Sequence, residues 1–336
     1  MLANPFGEGA SRNLRRRFCV LGMRLDVETS HPQLLSAAEA AFGGLPAHRL
    51  SAAARVRLGL ALTPQLVGPS RERRTPPRPL EFFSVADSLC AAGEDSTFVS
   101  VTPETRSALV AASPRYLRFP YHLRYEVIEL AGYLLAARTM GLVPLHAACV
   151  SLGGRAALLM GPSGSGKSTA TAHCVAEGLD FVAEDSVLVE PRSARATGLA
   201  NYLHLRTDSL RRLRNEPSLR EALRASPVIR RRSGVAKLEI DMRNGPFRLA
   251  TEPPRIEAIV FLSATGAAGG PLLLAQGKRE TARRLRLEQP YAARQTGWAD
   301  FVKRMQTIEA FELRRGRHPR ESAEALALLL ARKKRR

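Results

Sequence analysis

Cysteine, lysine and long apolar runs are scarce in this sequence. The four cysteines fall at positions 19, 90, 149 and 174 of 336 residues. None forms a C-x-x-C pair, and His146 with Cys149 is too thin a cluster for a structural metal, so zinc-finger readings fall away. Cys149 and Cys174 stand in apolar surroundings and read as buried free thiols of a protein kept in a reducing cytosol. No stretch of 18 apolar residues occurs, which argues against a membrane-spanning helix. Residues 1–17 are basic, but the run that follows, Phe18–Val27, is broken by Arg24 and Asp26. That is too polar for a signal peptide, and the expected location is the cytoplasm.

Lysine occurs at only six positions, so 45 of the 51 basic residues are arginine, and 31 acidic residues leave a net charge of +20. A GC-rich coding bias toward Arg and Ala accounts for such a composition; a surface for polyanions is the alternative. No helix-turn-helix, RNA-binding aromatic signature or zinc-finger spacing accompanies the charge, so nucleic acid is not the favoured partner. Hydrophobic residues make up 45 % and charged residues 24 %, the mixture of a globular protein long enough for two domains.

The periodicity predicts a strand over 18–28, a helix from Pro32 to about Phe42, and strands over 55–62, 81–86 and 97–102, with a proline-rich loop at 67–79. A helix is expected over 125–140, closed by Gly141. A strand over 143–152, a Gly153-Gly154 turn and an apolar strand over 156–160 read as a hairpin. Next come a helix from Lys167 to about Glu177 and a strand over 179–183. Further strands are expected at 199–205, 236–242, 256–262 (the most apolar, hence central) and 307–313. Arginine-studded helices fill 207–224, and an amphipathic helix covers 319–332. The expected organisation is a basic N-terminus (1–17), an α+β domain (18–122), a second α/β domain (123–330) and a basic tail (331–336).

One motif carries chemistry. Gly161-Pro162-Ser163-Gly164-Ser165-Gly166-Lys167-Ser168 fits G-x-x-x-x-G-K-[ST], the Walker A phosphate-binding loop, and sits between an apolar strand and a helix as that loop requires. The glycines let backbone wrap a phosphate, successive N–H groups form an anion nest, and the helix adds its positive end. Lys167 places a cation on the β- and γ-phosphates, the Ser168 hydroxyl is a magnesium ligand, and Thr169 continues the motif. The implied ligands are ATP and Mg2+. A transporter ATPase would carry a Leu-Ser-Gly-Gly-Gln signature, which is missing, and guanylate- or adenylate-type kinases begin with the loop instead of placing it at residue 161.

The wider stretch from Leu145 through Thr169, with His146 fifteen residues ahead of Gly161, resembles the HPr kinase/phosphorylase family, whose core is shared with ATP-dependent phosphoenolpyruvate carboxykinase. Gly178-Leu-Asp-Phe-Val-Ala-Glu184-Asp185 matches its following strand and acidic pair, with Glu184 standing where the family usually has Asp. The likeness is strong over about 143–190 and weaker to about 316. It implies an α/β fold with an HPr-kinase-like C-terminal domain, and ATP-dependent transfer to a serine or other hydroxyl of a protein or peptide. It also admits a homo-oligomer.

The resemblance places the general base at Glu184 and the metal contact at Asp185; geometry alone lets Asp185 do either. His146 would hold the carboxylate or receive the proton, and Lys237 is a candidate second cation on the γ-phosphate. Arg206, Arg211 and Arg212 are weaker candidates for phosphate or substrate contact. Two other functions stay open: an ATP-binding accessory protein with little transfer activity, suggested by Glu184, and a P-loop protein acting on nucleic acid, suggested by the charge.

Overall fold

The computed structural model describes residues 13–51, 53–63, 75–93, 95–213 and 216–332, without the side chains of 212, 217 and 218. Most of the basic N-terminus (1–12), much of the proline-rich loop (67–74) and the end of the tail (333–336) therefore lie outside the described residues. The chain is mixed α/β with several sheets. It divides into two compact units. One takes the stretch ending at Phe18 with Arg24–Gly43 and Arg55–Leu135; the other takes Cys19–Met23, Gly44–Ala54 and the chain from Ala136 onward. No described helix is long and apolar enough to cross a membrane.

The first sheet contains seven described strands: β1 (Leu14–Val20), β2 (Met23–Thr29), β3 (Ala54–Leu62), β4 (Glu81–Val85), β5 (Ser88–Ala92), β6 (Phe98–Thr102) and β7 (Ser107–Ala112), in the order β1-β2-β3-β7-β6-β5-β4. Alternation sets its burial: Leu25 and Val27 of β2 are fully buried while Arg24 is exposed. The single strand expected over 18–28 is in fact two. Leu21 and Gly22 both take positive φ, 55° and 80°, and turn the chain back on itself. This is the backbone of a two-residue hairpin turn, and the apolar Leu21 hid it from a pattern reading. The helix expected from Tyr125 starts earlier, with widened π-type turns over Leu123–Glu129, and continues as Leu130–Met140.

The second unit is built on a nine-stranded sheet. Its described strands are β8 (Val143–Leu145), β9 (Ala148–Leu152), β10 (Arg155–Met160), β11 (Asp180–Ala183), β12 (Val187–Glu190), β13 (Arg195–Gly198), β17 (Arg255–Gly266), β18 (Leu273–Gln276) and β19 (Glu309–Arg315). The remaining three, β14 (Tyr202–Arg206), β15 (Val228–Arg230) and β16 (Ala236–Asp241), form a small separate sheet with β16 in the middle. β17 pairs in parallel with both β10 and β19, so the most apolar strand is central. Leu158, Ile259 and Phe261 face one buried cluster with Phe301 and Met305; Leu159 and Val260 face another with Leu326 and Leu330. Burial on both faces explains the near-continuous apolar runs. Each such side chain contributes roughly 1.5–3 kcal/mol.

Two further expectations are corrected here. The strand expected over 143–152 breaks at His146-Ala147: β8 pairs with β12, whereas β9 pairs with β10 and β11. The cause is a side chain. Gln289 Oε1 accepts from the His146 N–H at 2.8 Å, and its Nε2 donates to the His146 carbonyl at 2.9 Å, taking both groups a ladder would have used. His146 therefore stands at a strand break, not within a strand. The acidic pair was also expected to follow the strand beside β10. The Gly153-Gly154 turn, with φ of 57° and 77°, folds β9 onto one edge of β10, and β17 takes the other, so β11 lies one strand further out. Helices Lys278–Glu288 and Trp298–Met305 were not anticipated. The first buries only Thr281 and Leu285 among many arginines, leaving a faint apolar stripe.

Candidate functional site

The glycine-rich loop leaves the end of β10 and runs into helix Lys167–Ala176. Gly161, Gly164 and Gly166 have φ of 147°, 80° and 106°, a region that side chains rarely adopt. A Cβ on Gly161 would also lie 2.8 Å from Ser165 Oγ. The first intrahelical bond runs from the Ala170 N–H to the Gly166 carbonyl at 2.8 Å, so the amides just ahead of it are the open donors of the helix N-terminus. Pro162, Ser163 and Gly164 are exposed, and Ser165 Oγ is buried without a hydrogen-bond partner among the described residues.

Lys167 is buried and folded over its own loop, donating from Nζ to the carbonyls of Gly161 at 2.7 Å and Pro162 at 3.3 Å. Burial lowers its pKa, partly offset by the negative charges of Asp185, Glu184 and Glu288, while Lys237 adds to the lowering. Lys237 lies in β16, in register with Arg206 and Ile229. Its pKa is also lowered, first by burial and then by Arg231 and Arg206, against the pull of Glu184 and Asp185. Two lysines that each feel the same two carboxylates belong to one electrostatic site.

The acidic pair sits in the bend just past β11, and its two side chains divide. Glu184 turns inward and is 5 % exposed. Its Oε1 accepts from the Ser168 hydroxyl, and its Oε2 is 3.3 Å from His204 Nδ1. The other ring nitrogen of His204 is 3.0 Å from Glu239 Oε1. Here β14 and β16 place His204 opposite Glu239 in register. Burial opposes charge on His204, but the hydrogen bonds to Glu184 and Glu239 outweigh it and hold the imidazole above its ordinary value. Ser168, half-buried, and the buried Glu184, His204 and Glu239 thus form one hydrogen-bonded chain.

Asp185 faces a different set. Its Oδ1 is 3.1 Å from His146 Nδ1 and its Oδ2 is 3.7 Å from the Arg231 guanidinium. The His146 side chain is 53 % exposed, open to an incoming molecule, while the Gln289 clamp fixes its backbone. Thr169 Oγ1 reaches Ser209 Oγ at 3.5 Å, tying the loop helix to the turn that opens the 207–225 region.

The contacts link Ser168 to Glu184 and His146 to Asp185, and charge coupling joins Lys167 and Lys237 to both acids. Of the weaker arginine candidates, Arg206 is exposed and pairs with Asp208 at 3.0 Å, Arg211 is exposed, and the Arg212 side chain lies outside the described residues. Sequence reading missed His204, Glu239, Arg231 and Gln289. The only local signal was polar residues at positions where a buried strand should be apolar, His204 in β14 and Glu239 in β16. No cluster of three or more His, Cys, Asp or Glu side chains among the described residues is arranged to hold a metal by itself. A magnesium ion carried on a nucleotide needs fewer, because phosphate oxygens and waters supply the remaining ligands.

No family model and no curated protein matches the chain. Among solved structures, it is similar to the Hpr(Ser) kinase/phosphatase from Coxiella burnetii at 13 % identity, over 56 % of this chain and 97 % of that one, with a TM-score of 0.27, a weak resemblance at the level of the fold.

Proposed function

We propose that this protein is an ATP-dependent kinase that transfers the γ-phosphoryl group to a hydroxyl, serine foremost, on a protein or peptide. One observation carries the reading: a glycine loop with an open helix N-terminus has two carboxylates beside it that engage separate partners, Ser168 for one and His146 for the other. The residues fit a magnesium nucleotide. Three positive-φ glycines leave room for phosphate, the buried Ser165 hydroxyl lacks a partner among the described residues, and the cations Lys167 and Lys237 lie within the influence of one site.

In this reading the loop amides and Lys167 hold the β- and γ-phosphates, with Lys237 as a second cation. Ser168 would ligate magnesium, with Glu184 orienting the Ser168 hydroxyl. Magnesium, when bound, neutralises charge that builds on the phosphates. The contacts favour Asp185 as the base, reversing the roles the resemblance implied. Glu184 is buried and engaged by Ser168 and His204, whereas Asp185 faces the exposed His146. Asp185 would take the proton of the acceptor hydroxyl as that oxygen bonds to the γ-phosphorus and the bond from phosphorus to the β,γ-bridging oxygen breaks, releasing ADP; His146 fixes the carboxylate through Nδ1.

The test is transfer of label from γ-labelled ATP to serine peptides, with calorimetric titration of Mg·ATP alongside. Binding of Mg·ATP with equal affinity by the parent and Lys167→Ala would sink the loop assignment. Binding without transfer to any hydroxyl would leave a nucleotide-binding accessory protein.

A further inference from the structure

We propose that the leucine-floored recess between Leu210 and Arg224 docks an acidic segment of the phosphoryl acceptor, an apolar side chain seated on the leucines and Asp or Glu residues meeting the arginines. This rests on the kinase reading above and names the chemistry of its acceptor. The recess has a volume of about 410 Å3 and is lined by Leu210, Leu213, Arg220, Leu223 and Arg224. Its floor is fixed to the candidate site. Leu213 is fully buried against Ala172 and Val175 of the loop helix, Leu223 packs on the same cluster, and Ser209, next to Leu210, contacts Thr169.

Charge decides the occupant. Between residues 206 and 232 the chain has nine arginines and three acids. Two of those acids are engaged, Asp208 by Arg206 and Glu216 by His173. Arg211, Arg220 and Arg224 are exposed and have no acidic partner among the described residues. Some arginines elsewhere in this unit are neutralised locally, as in Arg283 with Glu280, Arg284 with Glu288 and Arg320 with Glu177; others, such as Arg279 and Arg286, are exposed without an acidic partner among the described residues, but they do not rim an apolar recess. Unpaired guanidiniums around an apolar floor recognise carboxylates beside an apolar anchor. A nucleic acid would call on aromatic side chains for stacking, and none lines the recess.

The experiment uses the full chain and a fluorescein-labelled peptide of about 14 residues with one serine, one leucine and four Asp or Glu, beside its Asn/Gln counterpart. Anisotropy should show the acidic peptide binding at least tenfold more tightly than the neutral one. Arg220→Glu with Arg224→Glu should abolish that difference, and a Lys-for-acid peptide should regain binding to this variant, which a misfolded protein cannot produce. Leu223→Asp should weaken the acidic peptide by a similar factor. Equal binding of acidic and neutral peptides, or unchanged binding after charge reversal, overturns the proposal. So does a labelled single-stranded oligonucleotide that outcompetes the acidic peptide. Mg·ATP titration runs in parallel. If the peptide docks and ATP does not bind, the kinase reading fails and the docking surface stands; if ATP binds and the peptide does not, the reverse holds.

Discussion

The seven-stranded sheet and the glycine-loop site treat charged side chains in opposite ways, although the first unit also buries one ion pair, Arg124 with Glu129. On the seven-stranded sheet charges remain at the surface, where Arg17 and Arg55 flank Asp26 at 2.6 and 3.0 Å with both arginines more than half exposed. In the second unit Lys167, Glu184, His204 and Glu239 are buried, and each is held by another polar group. An exposed pair is worth about 0–1 kcal/mol and its loss is forgiven. A buried charge costs several kcal/mol to desolvate and persists only inside a satisfied network. Charges kept at that cost beside a glycine loop are what the proposed function draws on.

Substitutions at the buried site should therefore have the largest effects. Asp185→Asn should cut single-turnover phosphoryl transfer by about 100-fold or more, the range for loss of a general base, while Mg·ATP binding stays within a few-fold. Glu184→Gln should instead raise the magnesium concentration needed for half-maximal transfer. Calorimetry and magnesium titration together assign the roles: a loss of transfer in Glu184→Gln at saturating magnesium, with Asp185→Asn at the parental rate, returns the base to Glu184.

Next in size is Lys167→Ala. Losing a charge-assisted contact to phosphate should weaken Mg·ATP binding by about 2–3 kcal/mol, measured by calorimetry.

The pH dependence of stability should also separate the two units. His48 has its pKa lowered below 6.5 by burial, between Thr197 Oγ1 at 2.7 Å and the Ala250 carbonyl at 2.8 Å, and buried His173 is lowered likewise. Their contribution is complete above about pH 6.5 and is lost as pH falls through the lowered values. His204 runs the other way: raised above 6.5, its contribution is complete below 6.5 and is lost as pH rises through the raised value. Asp26 is lowered below 3.8, first by the Arg17 hydrogen bond, so its contribution is complete above about pH 4 and is lost only in stronger acid. Urea unfolding should show the second unit weakening as pH falls below about 6.5 while the first holds, with His48→Gln flattening that slope. The smallest effect belongs to the surface pair: Asp26→Asn should cost about 0.5 kcal/mol in neutral buffer, by the same measurement.

Local features were legible in advance. The loop's turn between strand and helix was, because its glycines fall where the backbone takes positive φ. So were the hairpin at Gly153-Gly154 and the central strand over 256–262. Features made by long-range contacts were not. The break at His146 depends on Gln289, 143 residues later. The hairpin turn at Leu21-Gly22 was masked by an apolar residue in a left-handed conformation.

By itself, then, the sequence determined the local backbone of the candidate phosphate loop: glycine spacing between an apolar strand and a helix sets its positive-φ turns. Only the tertiary structure decided what stands behind each carboxylate. Glu184 meets Ser168 from one side and His204 from the other because β11 ends beside the loop helix and β14 crosses behind it, in register with Glu239 on β16. Asp185 meets His146 because Gln289 takes the hydrogen bonds that would have kept His146 in a strand. Strand order and register are set by burying apolar faces over the whole unit, and no window of consecutive residues contains that information.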